Sequence, residues 1–222
     1  MSDKNAARRR VVFFDFDNTI TTRDVLDDLI GRFSGDDKWM EFEKKWKKGE
    51  IGSMECLKGQ MKGVRITKSA LDRYLSTIKI DPYFKKLVKF FHSHGIKSVI
   101  LSDNFDYILN TILSNNGIGA PEIFSNRISL RGGRLIPAFP YSNKDCGDCA
   151  HCKKTSLEAN AAEGVRSVYI GDGLSDVCAS GGADTVFAKD YLKSYFKEKG
   201  LPHIPIKNLK DVYEYFLERR RI

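Results

Sequence analysis

The chain has 222 residues, of which 41% are hydrophobic and 30% charged, and carries a net charge of +8. That is enough for one well-buried domain, or a domain with a modest insert. No apolar run approaches the roughly 18 to 20 residues that span a bilayer, and the charged N-terminus lacks the apolar stretch of a secretory signal, so a cytoplasmic protein without a membrane partner is expected.

The positive excess is spread out, with local runs at Arg8–Arg10, Lys44–Lys45, Lys47–Lys48 and Arg219–Arg221. The terminal runs read as solvated tails. No zinc-finger or RNA-recognition pattern accompanies the charge, so nucleic acid is not expected as a partner. Trp39, Phe42 and Trp46 recur at helical spacing. They are expected to mark the inner face of a helix whose lysines, 44 to 48, are exposed.

In chain order, Val11–Phe14 read as a buried strand that ends in polar residues. Residues 21–80 hold about four helical patterns and no convincing strand. Asp81 and Pro82 open the next helix as N-cap and first turn, Phe84, Leu87, Val88 and Phe91 form its apolar face, and Gly95 stops it. A second strand over 97–102 precedes a helix over 105–116. Residues 127–138 alternate about Gly132 and Gly133 and predict a hairpin. A helix over 153–164, a strand ending at Asp172, a short helix, the strand Thr185–Ala188, a helix from Asp190 and a helix over 208–220 complete the chain. Such alternation predicts an α/β fold: a Rossmann-like parallel sheet with helices on both faces. The helical stretch is expected as a small cap inserted after the first strand, with residues 1–20 and 81–222 as the core and 21–80 as the cap.

In open α/β sheets, sites form at the carboxyl ends of strands. Asp15, Ser102 and Asp172 are each expected at such an end. Residues two apart on an extended chain point the same way, so Asp15 and Asp17 should share a face while Phe16 turns away. Paired carboxylates repel unless a cation joins them, and Mg²⁺ suits one or two carboxylates plus a phosphate. Asp172 and Asp176 extend the acidic set.

Asp15-Phe16-Asp17-Asn18-Thr19, Ser102, Lys153 and Gly171-Asp172-Gly173 with Asp176 resemble, in this order and spacing, the four motifs of the haloacid dehalogenase superfamily. The insert lies where the cap lies in its phosphoserine-phosphatase-like branch. The resemblance covers nearly the whole chain. It implies a phosphoric monoester hydrolase that forms an aspartyl-phosphate and uses Mg²⁺. Asp15 would be the nucleophile and Asp17 the general acid and base. Ser102 and Lys153 would hold the phosphoryl group. Asp15, the Asp17 carbonyl, Asp172 and Asp176 would hold the metal, and Thr19 would order the loop. Lys154 competes with Lys153 for the third motif. Lys153 is preferred because it starts the helix and keeps the spacing to Leu157.

Three kinds of relative bear on the substrate, a small phosphomonoester. The run from Cys146 to Leu157, the run "YIGDGLSD" and the C-terminal "FAKDYL" resemble the methionine-salvage phosphatases that act on hydroxy-keto-methylthiopentenyl phosphate. In phosphoserine phosphatases an acidic cap residue, here Asp24, reads the substrate amine. An Arg reads its carboxylate, and Gln60 stands at that place. Arg65 is a nearby substitute. Asp103, where the methionine-salvage group has Gly, resembles phosphoethanolamine/phosphocholine phosphatases and could face a cationic head, or it could cap the following helix.

Cys146, Cys149 and Cys152 repeat at C-x2-C-x2-C beside His151. The spacing can supply ligands for Zn²⁺, with His151 or a distant residue as the fourth. Reduced structural thiols and a redox-sensitive loop are the alternatives. Cys56 and Cys178 are expected to be buried. The oligomeric state is left open. A catalytically silent binding protein of the same fold is the competing class, and four complete motifs weigh against it.

Overall fold

A computed structural model describes residues 10–119 and 121–219. Arg8, Arg9, Arg220 and Arg221 of the terminal basic runs lie outside these. The first strand, β1 (Arg10–Phe14), is followed by helices α1 (Val25–Phe33), α2 (Trp39–Lys47), α3 (Ser53–Met61) and α4 (Lys68–Ser76). Next come α5 (Pro82–Ser93), β2 (Lys97–Phe105), α6 (Asp106–Asn115), β3 (Glu122–Arg131) and β4 (Arg134–Ala138). The chain continues with α7 (Lys153–Asn160), β5 (Arg166–Gly171), α8 (Val177–Ser180) and β6 (Thr185–Ala188). It closes with α9 (Asp190–Glu198), β7 (Ile204–Pro205) and α10 (Leu209–Glu218).

The strands form one seven-stranded sheet in the order β4-β3-β2-β1-β5-β6-β7, parallel except for the β3–β4 hairpin. Strand β1 alternates between two buried faces. Val12 and Phe14 enter the cluster with Phe84, Phe91 and Phe216 of α5 and α10. Val11 and Phe13 enter the opposite cluster with Leu157 of α7 and Ala179 of α8. Burial on both sides explains why β1 reads as a continuous apolar run. In register, Phe14 faces Ile100 of β2 and Ile170 of β5, which aligns the carboxyl ends of the three central strands.

Asp81 caps α5 by accepting from the Tyr83 N–H, Pro82 lies in the first turn, and Gly95 takes a positive φ just past the end. Helix α7 stops at Asn160, four residues short of the expected end. Strand β2 runs on to Phe105, with an irregularity between Ser102 and Phe105. The edge strand β7 has only two residues and left no alternating pattern to read.

Helices α1–α4 leave and rejoin the sheet as neighbours: Thr21 bridges Ile80, and the Asp81 N–H donates to the Ile20 carbonyl at 2.8 Å. Leu29, Ile30, Met61 and Leu75 of this unit share one apolar cluster with Phe14 and Ile100 of the sheet. The aromatic stripe of α2 divides, contrary to expectation. Trp39 packs over Gly31 and Phe42 lies over Gly59, where no side chain would fit. Trp46, half-buried, faces a cavity between α2 and the sheet edge rather than an inner core. Lys47 faces the same cavity and pairs with Glu43 at 2.9 Å. The 44–48 run is therefore not a purely solvated face.

Candidate active site

A cavity of about 510 Å³ opens at the carboxyl ends of β1, β2 and β5. From the sheet edge it is lined by Asp15, Asp17, Ser102, Asp103, Lys153 and Asp172. Asp15 follows β1 directly, and its N–H donates to the Ile170 carbonyl at 2.9 Å. Phe16 is fully buried on the other side, so the two aspartates do share a face.

Lys153 is the hub. Its ammonium donates to Asp15 Oδ1 at 2.5 Å, to Asp176 Oδ1 at 2.7 Å and to Ser175 Oγ at 3.2 Å. Burial opposes its charge, but Asp15 and Asp176 outweigh burial and hold its pKa well above the usual lysine value. Lys154 is half-exposed and points toward Glu158 on the outer face of α7.

Asp176 is fully buried and takes four donors. Tyr169 Oη and Lys153 reach Oδ1, and the N–H groups of Asp172 and Gly173 reach Oδ2. A Cβ on Gly171 would lie 2.6 Å from Oδ2, which accounts for the glycine before Asp172. Asp172 itself accepts from Asn18 Nδ2 at 2.8 Å and from Thr19 Oγ1 at 3.1 Å. Asn18 achieves this in the left-handed region, at φ 53°, with Lys189 Nζ on its carbonyl at 2.5 Å. Thr19 thus holds Asp172, and the loop is ordered by Thr21, whose hydroxyl donates to the Arg23 carbonyl at 2.7 Å.

Oxygens of Asp15, Asp172 and Asp176 lie within 4.8 Å of one another. Three carboxylates thus face one ammonium. Burial, then Asp176, raises Asp15, with Lys153 pulling the other way; burial and Asp176 likewise push Asp172 up to about 6. A hard oxygen donor set with a deficit of positive charge fits a divalent cation.

Asp17 differs. Burial and the neighbouring Asp24 push it up to about 8, although Asn104 and the Val25 N–H bond to its carboxylate. The Asn104 side chain was not foreseen. It is fully buried and aimed at Asp17, while its N–H donates to Ser102 Oγ at 3.0 Å.

His151 was also unforeseen in its role. Its Nδ1 lies 3.0 Å from the Ser102 carbonyl and its Nε2 lies 2.7 Å from Ser156 Oγ. A carbonyl only accepts, so Nδ1 carries the proton and Nε2 accepts from the Ser156 hydroxyl. Burial pushes the imidazole down to about 4, so it is neutral. Both nitrogens are engaged, which removes His151 as a zinc ligand. Among the described residues only the Asp15, Asp172 and Asp176 group gathers ligand atoms closely, so the three loop cysteines do not form a ready zinc site. Cys178, expected to be buried, is exposed.

The opposite wall comes from α1, α2 and α3. Asp24, Asp27, Glu43, Trp46, Lys47 and Leu57 line it. Asp24 also caps α1 by accepting from the Asp27 N–H at 2.9 Å. Burial, with Asp24 and Glu43, pushes Asp27 up to about 7. Gln60 is corrected: it lies outside the cavity lining, buried, with Nε2 donating to Glu43 at 3.1 Å. On α3 the turn of Ser53, Cys56 and Leu57 faces the cavity, and Gln60 falls one turn beyond it. Arg65 is exposed and bonds the Lys62 and Val64 carbonyls, away from the site. Asp103 does not cap α6, whose N-cap is Phe105. It lines the cavity with Oδ1 unpartnered, and burial pushes it up to about 6.

The chain has a Rossmann-like α/β fold similar to that of phosphoserine phosphatases. A substrate-bound phosphoserine phosphatase complex superposes with a TM-score of 0.70 at 21% identity, covering 94% of this chain and 98% of that one. A phospho-aspartyl intermediate analogue of phosphoserine phosphatase gives 0.70 at 20% identity, covering 93% and 98%. By sequence, the 2-hydroxy-3-keto-5-methylthiopentenyl-1-phosphate phosphatase of Bacillus velezensis is 28% identical over 211 residues, 92% of this chain and 88% of that one. The protein of the same name from Exiguobacterium sp. is 28% identical over 92% and 95%. The profile of the Putative Phosphatase family matches residues 10–194, and the chain belongs to that family.

Proposed function

We propose that the chain is a Mg²⁺-dependent phosphomonoesterase working through an aspartyl-phosphate on Asp15. Residues 21–80 act as a cap over a core of residues 1–20 and 81–222. The observation that carries this reading is the gathering of Asp15, Asp172 and Asp176 within 4.8 Å of one another at one sheet edge, with the Lys153 ammonium on Asp15 and Asp17 lining the same cavity.

In this mechanism a carboxylate oxygen of Asp15 attacks phosphorus, with no activating base needed. Lys153 offsets charge on both Asp15 and the phosphoryl group, and the Ser102 hydroxyl donates to a phosphoryl oxygen. Asp17 gives its proton to the leaving alcohol, then accepts one from the water that attacks the aspartyl-phosphate. Asn104 aims the Asp17 carboxyl, and Asp176 fixes Lys153. Asp15, Asp172 and the Asp17 carbonyl would hold Mg²⁺, with Asp176 in support, and the ion would supply positive charge to the phosphoryl oxygens. Five cysteines, all free, support a reducing compartment such as the cytoplasm.

The two bacterial relatives support the methionine-salvage enol phosphate as substrate. A second reading is carried by the cap wall. Asp24, Asp27, Glu43 and Asp103 face the cavity with Lys47 beyond, which suits a cationic head such as that of phosphoethanolamine or phosphocholine. Phosphoserine is disfavoured, because no Arg among the described residues lines the cavity to bind its carboxylate. Steady-state phosphate release with Mg²⁺ across these four esters tests the reading, with Asp15→Asn as control. One ester well above the rest in kcat/KM identifies the substrate. Activity that survives Asp15→Asn, or none at all, favours a silent binding protein.

A further inference from the structure

Ser102 and Lys153 reach the catalytic cavity from different elements, β2 and the start of α7, and one side chain joins the two. The His151 ring lies between them, 2% exposed, with both nitrogens bonded. Nδ1 donates to the Ser102 carbonyl at 3.0 Å, and Nε2 accepts from Ser156 Oγ of α7 at 2.7 Å. Tyr141 packs on the ring with centroids 5.2 Å apart, and its carbonyl accepts from the Cys152 N–H at 2.8 Å. The His151 carbonyl in turn accepts from the Lys153 N–H at 3.0 Å. The imidazole is thus held on two edges and a face, and its backbone is bonded to the first residue of α7.

The carbonyl that the imidazole holds lies where the sheet loses its regularity. The β2–β3 ladder shifts register between Ser102 and Phe105. Such a shift interrupts the regular bonds of a ladder, and the imidazole bonds the chain at that point. Ser102 also begins a tight turn, because its Oγ accepts from the Asn104 N–H at 3.0 Å. That bond occupies one lone pair of the hydroxyl and leaves its proton for a phosphoryl oxygen. A peptide unit is planar, so a fixed carbonyl fixes the whole Ser102–Asp103 unit, and with it the turn that aims Oγ. Ser156 supports the arrangement from the other side: its donation to Nε2 keeps the ring proton on Nδ1, facing the carbonyl.

We propose that His151 is a positioning residue for phosphoryl transfer: it sets the Ser102 hydroxyl against the Lys153 ammonium by tying the Ser102 carbonyl to the first turn of α7. The proposal rests on the phosphatase reading, in which Ser102 and Lys153 are the two side chains that hold the phosphoryl oxygens. With both nitrogens engaged, His151 moves no proton in the reaction and acts through Ser102. A misplacement of about 1 Å in such a site costs on the order of 100-fold in rate, so a bond one residue removed from the phosphoryl group bears on turnover.

The test compares replacements in the full-length chain, with Mg²⁺ present and p-nitrophenyl phosphate as the probe. Asn carries an amide N–H near the position of Nδ1, whereas Gln carries it out to that of Nε2. His151→Asn should therefore keep kcat within about threefold, and His151→Gln should lose about tenfold or more. Equal kcat in the two variants overturns the proposal. A double-mutant cycle then reads the coupling: in a Ser102→Ala background, His151→Gln should cost less than about twofold. The full loss repeated in that background means that His151 does not act through Ser102, and overturns the proposal. If the Gln variant does not fold, Ser156→Ala, which keeps the imidazole but releases Nε2, takes its place in the cycle. Calorimetric binding of inorganic phosphate runs the same cycle without turnover. A wild type inactive on the probe refutes the phosphatase reading, and the binding cycle then decides alone: non-additive losses support the placing of Ser102 by His151, and additive losses overturn it.

Discussion

Asn104 donates its side-chain amide to both carboxylate oxygens of Asp17, at 2.9 and 3.3 Å. Its own Oδ1 accepts from the Phe105 N–H at 2.7 Å, so the amide is locked on both sides. Asn104→Ala should therefore lower kcat about tenfold with little change in KM, because the general acid loses its aim rather than its proton. Freed from its partner, the buried Phe105 N–H should cost about 1 to 3 kcal/mol of stability. Steady-state kinetics with a urea melt checks both, and an unchanged kcat removes Asn104 from the mechanism.

The two adjacent lysines should behave oppositely. Lys153→Met strips the ammonium from Asp15 and Asp176, both buried. We expect kcat to fall by about 100-fold or more, and stability by about 3 to 5 kcal/mol. Lys154→Met, on the exposed face, should leave both within error. Equal effects would mean that the assignment of the motif lysine is wrong.

Chelation should abolish turnover, and Mg²⁺ should restore it. Independently of activity, saturating Mg²⁺ at about 100 times its Kd should add about 2.7 kcal/mol to stability. Asp172→Asn should shrink that gain, since the group of Asp15, Asp172 and Asp176 loses one of its charges. Thermal melts with and without the ion read this directly, and an equal gain in the variant would relocate the metal.

His151 makes stability depend on pH in a known direction. Its folded pKa of about 4 lies below the usual histidine value, so between the two the unfolded chain binds the extra proton. The contribution is complete above about pH 6.5 and is lost as pH falls toward about pH 4. Relative to His151→Asn, the wild type should lose about 2 kcal/mol between about pH 7.5 and about pH 5. Urea titrations of both proteins at the two pH values give the difference, and parallel curves would contradict a buried neutral imidazole.

Much of this molecule is written locally. The Val11–Phe14 run, the Asp81–Pro82 start, the Gly132–Gly133 turn and the four helical patterns of residues 21–80 all rely on short-range rules: pleat alternation, capping and left-handed glycine. Asp15, Asp17 and Asp172 could be placed at one edge because parallel strands align their ends. Side chains brought in from other elements could not be read this way. Glu43 and Lys47 sit on a helix whose face was misread, because Trp46 looked like core until the cavity beside it was visible. Gln60 matched a family position by count, but one helical turn carried it behind Glu43. Asn104 and His151 gained their roles only when β1, β2 and the cysteine loop came together, across 87 residues to Asp17 and 49 to Ser102. Sequence alone determined the order of the helices and of the strands other than the edge strand β7, and the carboxylates at the strand ends, since these follow from residues near one another in the chain. Tertiary structure alone decided which groups surround them, because burial and hydrogen bonding between distant segments set the charge and aim of each.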